Sequence, residues 1–148
     1  MPKASVRVGA EYPVPPAAVW SVVSDHEGTH AWVPKVKRVT LLKPGEPKNG
    51  MPALRRVEFR PALWSTIDER IVAYEDGRRF DYQIVAGMPG VKHHLGSIRV
   101  GPTEGGCRLD WVIEFDFAWW WGPFAGPFSA TFQRALEEGL ETLRGVVA

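Results

Sequence analysis

Residues 107–117, CRLDWVIEFDF, and residues 127–148, PFSATFQRALEEGLETLRGVVA, carry the reading of the fold. In the first, Cys107, Leu109, Trp111, Ile113, Phe115 and Phe117 fall on one side, and Arg108, Asp110, Glu114 and Asp116 on the other. That period of two belongs to a half-buried strand. In the second, Phe128, Phe132, Leu136, Leu140 and Leu143 recur at spacings of four and three, one apolar stripe along a helix, with charged side chains over the rest. Each element has one greasy surface and needs a partner to cover it.

Upstream, residues 93–100, 78–86, 64–74, 54–60 and 36–42 read as further strands. Turn-rich segments separate them: PTEGG (102–106), GMPG (87–90), EDG (75–77), PAL (61–63) and PGEPKNG (44–50). Val6, Val8, Ala10 and Tyr12 make residues 5–13 the first strand, stopped by Pro13, Pro15 and Pro16. Pro16 suits the first turn of a helix running to about Ser24, with Val19, Val22 and Val23 as its stripe. A second short helix is expected from about His26 to Trp32, limited by Pro34. The expected architecture is α+β: one strand, two short helices, six antiparallel strands and a long C-terminal helix, in a single domain over residues 1–148. A strongly curved sheet of about seven strands need not touch one helix along its whole length, so a hollow is expected between them as the natural binding site.

The sequence has 148 residues, enough for one domain with a sizeable core. Its 18 basic and 17 acidic residues are interspersed, which leaves neither a nucleic-acid footprint nor a membrane-seeking basic face. The single cysteine, Cys107, excludes an internal disulfide and fits a reducing compartment; it reads as a core residue. No apolar run is long enough to span a bilayer, and MPKASVRVGAEY lacks a signal-peptide core, so a cytoplasmic location without stable membrane insertion is expected. No cofactor-binding motif is present. The oligomeric state, monomer or homodimer, stays open.

Residues 26–30, HEGTH, spell the zinc-hydrolase signature H-E-x-x-H. On an α-helix His26 and His30 would share a face. The segment is too short for the long helix such an enzyme uses, Gly28 weakens it, and no third ligand follows at a suitable distance, since His93 and His94 lie on a strand. The expectation is a polar face carrying two solvated histidines and no resident metal.

Strand phase nominates the polar groups of the hollow. Arg55 shares a face with Val57 and Phe59, and Glu69 with Ile67 and Ile71, so both are expected to point inward from adjacent strands and to pair. Two roles are open: an internal ion pair that sets strand register, or an Arg55 that holds a ligand oxygen with Glu69 behind it. His94 shares phase with Gly96, Ile98 and Val100, and is either a hydrogen-bonded core histidine or a general acid/base. Tyr82, in phase with Phe80 and Ile84, offers a hydroxyl. Continued alternation past Phe117 would turn Trp119 and Trp121 inward and Trp120 outward. Gly122-Pro123 and Gly126-Pro127 follow, and the segment reads as a hinged aromatic flap, with a membrane-touching loop and simple packing of the helix start as rivals.

The pieces VPPAAVWSVVSD, WVPKVKRV, ALRRVEF, IDERIVAY, RRFDYQIVAGMPGV and GGCRLDW, in this order and ahead of the C-terminal helix, resemble the START-like (SRPBCC) superfamily in its polyketide cyclase/dehydrase and lipid-transport branch. The resemblance covers nearly the whole chain. It implies a helix-grip fold round an apolar cavity that takes a small hydrophobic ligand, aromatic or polyketide-like. It also implies two alternatives for function: cyclisation or dehydration of that ligand, or its non-catalytic carriage. Under it, Arg55, Glu69 and His94 are the candidate catalytic residues. Trp32, Tyr82, Trp111, Phe115, Phe117, Trp119, Phe128, Phe132 and Leu136 are the candidate ligand-binding residues. Family membership speaks to fold far better than to function.

Overall fold

The computed structural model describes residues 3–60 and 66–148. The chain runs β1 (Lys3–Tyr12), α1 (Pro16–Val23), a 3₁₀ helix (His26–Ala31), β2 (Val36–Lys43), β3 (Leu54–Phe59), β4 (Ile67–Glu75), β5 (Arg79–Ala86), β6 (Val91–Thr103), β7 (Gly106–Phe117), a second 3₁₀ helix (Trp119–Phe124) and α2 (Ala125–Val147). The expected turn Pro61-Ala62-Leu63 and the expected strand start at Trp64-Ser65 lie outside the described residues.

All the described strands pair antiparallel in one sheet of spatial order β1-β7-β6-β5-β4-β3-β2. From β2 to β7 each strand pairs with the strand that follows it in sequence. Only β1 travels far in sequence to reach β7, where Val6 lies opposite Ile113 and Val8 opposite Trp111. The predicted alternation of the last strand is realised: Cys107, Leu109, Trp111, Ile113, Phe115 and Phe117 are all buried. α2 lies across this face through Leu136, Leu140 and Leu143, each nearly inaccessible. Its C-terminal half is tied to β1, where the Tyr12 hydroxyl donates to the Leu140 carbonyl at 2.8 Å. Burial leaves the Tyr12 phenol pushed up to about 12. Gly139 lets the helix approach the Trp32 backbone; a Cβ there would sit 3.6 Å from the Trp32 carbonyl oxygen.

The second short helix is 3₁₀, not α. Six residues with a glycine in the middle cannot repay α-helix nucleation, and a tighter turn suffices to carry the chain from α1 to β2. The long helix begins at Ala125, slightly ahead of the expected Pro127, and Pro127 falls within its first turn, where a missing N–H costs nothing.

A glycine on β6 sets the floor of the sheet. Gly96 lies opposite Tyr82, and the tyrosine ring lies over it: a Cβ at Gly96 would fall 2.2–2.6 Å from three ring carbons. Gly96→Ala is therefore expected to expel the Tyr82 ring and to destabilise the protein by about 1–3 kcal/mol, in the range of core overpacking. Chemical denaturation checks this, and a cost below about 0.5 kcal/mol, the scale of a neutral surface change, would mean that the ring is free to move aside.

Candidate functional site

Where α2 lifts from the sheet towards its N-terminus, a cavity of about 80 Å³ remains between them. That is room for several waters at roughly 10–15 Å³ each, and about half the volume of an engineered apolar cavity, about 150 Å³, that takes up benzene. Its walls are almost wholly apolar. Val36 and Val39 from β2 and Val57 from β3 form one side, and Met88 and Val91 close the β5–β6 end. Tyr82, Trp111 and Phe115 come from the floor, and Phe128, Phe132 and Leu136 from α2. Phe128 and Phe132 stack on each other at 5.7 Å and are only half-buried, so the roof of the cavity is only partly covered.

The polar groups on this lining are Arg55, Glu69, His94 and Tyr82, all more than nine-tenths buried, with Thr29 and Lys35 added from the segment that includes the first 3₁₀ helix. Antiparallel register places Arg55 directly opposite Glu69. Arg55 Nε and Nη2 both donate to Glu69 Oε1, at 2.9 and 2.8 Å. The guanidinium also lies over the Tyr82 ring at 4.8 Å and the Phe80 ring at 5.7 Å. Burial pushes the Glu69 carboxyl above its ordinary range, while the Arg55 charge and hydrogen bonds pull the other way.

Sequence reasoning missed the third member of this cluster. His26 is fully buried, not solvated. Arg55 Nη1 donates to His26 Nδ1 at 3.0 Å, and His26 Nε2 donates to the Asn49 carbonyl at 2.8 Å. Because an arginine can only donate and a carbonyl can only accept, these two bonds define a neutral imidazole protonated on Nε2. Burial, and secondly the Arg55 charge, hold His26 down to about 3. The H-E-x-x-H spacing is thus broken in space. A 3₁₀ helix turns about 120° per residue, so residues four apart stand about 120° apart rather than on one face. Both nitrogens of His26 are also engaged. No local signal in the sequence carries this role: Arg55 is 29 residues away and Asn49 is 23.

His94 is fixed the same way. The Ile84 backbone N–H donates to His94 Nδ1 at 3.2 Å, which leaves the ring hydrogen on Nε2. Burial and then the Arg55 charge hold this histidine down to about 4. Trp111 Nε1 donates to the Tyr82 hydroxyl oxygen at 2.9 Å, and burial raises the Tyr82 phenol.

Three of the ligand-binding candidates do not line the cavity. Trp32 is 1% exposed and sits behind the lining against Trp111, ring centres 5.4 Å apart, its indole N–H without an acceptor among the described residues. Phe117 is buried in an aromatic cluster with Phe115, Trp121 and Phe128. Trp119 does not turn inward: it is 83% exposed. Alternation ends with the strand at Phe117, and the chain then winds into a 3₁₀ turn in which Trp121 packs inward and Trp120 faces out as expected, while Trp119 departs from the expectation. Trp121 packs on Phe117 and Phe128, and its Nε1 donates to the Pro89 carbonyl at 3.2 Å. Trp120 and Phe124 are exposed beside Trp119.

No helix among the described residues is long and apolar enough to cross a membrane. Among solved structures, the chain is similar to TTHA0849 from Thermus thermophilus, at 18% identity over 97% of each chain with a TM-score of 0.80. It is similar to an uncharacterised protein from Bacillus thuringiensis, at 19% identity over 97% of this chain and 98% of the other, TM-score 0.76. Norcoclaurine synthase from Thalictrum flavum, solved with dopamine and hydroxybenzaldehyde, matches at 15% identity over 99% of this chain and 87% of the other, TM-score 0.76. These likenesses are of fold alone. No curated protein sequence matches significantly. The family model described as polyketide cyclase/dehydrase and lipid transport matches residues 3–148, and with a helix gripped by a curved antiparallel sheet over an apolar cavity, the chain belongs to that family.

Proposed function

We propose that this protein binds one compact, largely apolar ligand in the cavity between the sheet and the N-terminal half of α2. The observation that carries the reading is the cavity itself: an apolar hollow into which the fold brings four buried polar side chains. Purely structural packing would fill such a space with aliphatic groups, whereas a few convergent polar groups in an apolar pocket mark a ligand site. A ring-sized guest needs more than about 80 Å³, and the half-exposed Phe128 and Phe132 are walls with freedom to yield.

Carriage of the ligand is favoured over histidine-based acid/base turnover. A general base needs a free lone pair, and neither buried histidine has one: Ile84 occupies His94 Nδ1 and Arg55 occupies His26 Nδ1. Arg55 is engaged with Glu69 and His26, so it acts on a ligand through its field and its remaining N–H groups. Native mass spectrometry of freshly purified protein, followed by a toluene titration read on the Trp111 indole N–H resonance, tests the binding reading. The expected result is a co-purified guest or a saturable shift at Trp111. Neither a guest nor a saturable shift would overturn it.

A further inference from the structure

The tautomers of the cavity groups point to the chemistry of the guest. His94 Nδ1 accepts from the Ile84 N–H, so the cavity-lining ring has Nε2–H to offer and no lone pair. Tyr82 accepts from Trp111 through its oxygen, which leaves the hydroxyl hydrogen to donate, and no acceptor among the described residues takes it up. The two rings are neighbours, with centres 5.6 Å apart. Arg55 lies over the Tyr82 ring, and its charge is also felt at His94, where it adds to burial in keeping the imidazole neutral. At Tyr82 the Glu69 charge opposes that of Arg55, so the match rests on hydrogen bonding: two neutral donors side by side in a largely apolar hollow are matched by an oxygen carrying partial negative charge.

We propose that the cavity recognises a carbonyl oxygen on a compact hydrophobic molecule, with His94 Nε2–H and the Tyr82 hydroxyl as the two donors. This rests on the cavity being the binding site. A pure hydrocarbon leaves both donors unpaired in an apolar space. His94 is here a ligand-binding donor whose orientation Ile84 sets. Arg55 packs on the Tyr82 ring.

The test uses two molecules of nearly the same shape: acetophenone, which carries the carbonyl, and cumene, which does not. Affinities for wild type, Tyr82→Phe, His94→Phe and His94→Gln are measured by NMR titration. Wild type is expected to hold acetophenone at least as tightly as cumene despite cumene's larger apolar surface. Tyr82→Phe and His94→Phe are each expected to weaken acetophenone by about tenfold while cumene changes by less than about twofold, and His94→Gln, which keeps an N–H donor, is expected to recover part of the loss. If cumene binds but neither donor deletion selectively weakens acetophenone, the carbonyl proposal is wrong and the cavity reading stands. If wild type binds neither molecule, the cavity reading fails and takes this proposal with it. Long-range ¹⁵N–¹H spectra of the free protein give a separate check: hydrogen on His94 Nε2 is required, and hydrogen on Nδ1 would overturn the assignment whatever the affinities.

Discussion

Arg55→Ala is expected to lower the unfolding free energy by about 3–5 kcal/mol, the range seen when one partner of a buried ion pair is removed. Small domains are stable by only about 5–15 kcal/mol, so the variant should melt much lower or fail to accumulate. The cost has three sources. Glu69 is left in the interior without the two N–H bonds that Oε1 now receives. His26 Nδ1 loses its donor. The Tyr82 and Phe80 rings lose the guanidinium packed on them. An apolar double replacement, Arg55→Met with Glu69→Leu, removes both charges together and is expected to recover most of the loss, because apolar side chains of similar volume can replace a buried pair at little cost. Urea unfolding followed by tryptophan fluorescence measures both variants. An Arg55→Ala cost below about 1 kcal/mol, a surface-bridge value, would show that the pair contributes little and that Arg55 is free to serve a ligand.

The second large effect is acid instability. His26 and His94 are held down to about 3 and about 4 in the folded protein, against about 6.5 in an unfolded chain. Above pH 6.5 both are neutral in either state, and their contribution is fully present. As pH falls below 6.5 the unfolded chain takes up protons that the folded one refuses, so stability drops by about 1.4 kcal/mol per pH unit for each histidine. Between pH 6.5 and 4 the two together give a slope of about 2.7 kcal/mol per unit. Below 4 only His26 continues to contribute, down to about 3. Glu69, pushed upward by burial, works in the opposite sense and offsets part of the slope towards its acid end. Urea midpoints collected from pH 8 to 4.5 should therefore fall steeply below 6.5, and His94→Gln should remove about half of the slope. A flat profile from pH 7 to 5 would mean that the two rings accept protons without leaving their hydrogen bonds, contrary to the tautomers described above.

The legibility of the site in the sequence follows from the range of each interaction. Arg55 and Glu69 could be paired on paper, because strands have a strict period of two and strands consecutive in sequence usually lie side by side. Tyr82, Trp111 and Phe115 followed from the same rule. Phe128, Phe132 and Leu136 followed from the helical stripe. The rule stopped working where regular structure stops. Trp119 was assigned inward by continuing an alternation beyond Phe117, but the chain leaves the strand there and exposes the residue. His26 was assigned to solvent because a short helix with a polar composition ordinarily faces water. Its burial depends on three partners at a distance in sequence, namely Arg55 on β3, the Asn49 carbonyl before it and the Phe80 ring on β5 at 5.3 Å.

The sequence alone determined the α+β class, the order of the elements, the inward face of each strand and the helix that covers them. These are set by periodicity and turn chemistry, which act over a few residues and leave a local trace. Only the tertiary structure decided that the hollow is narrow, that His26 joins Arg55 and Glu69, and that both buried histidines carry their hydrogen on Nε2. Those facts depend on which backbone carbonyl or N–H arrives beside a ring after the sheet has curved. Residues distant in the chain supply those groups, and no local pattern announces them.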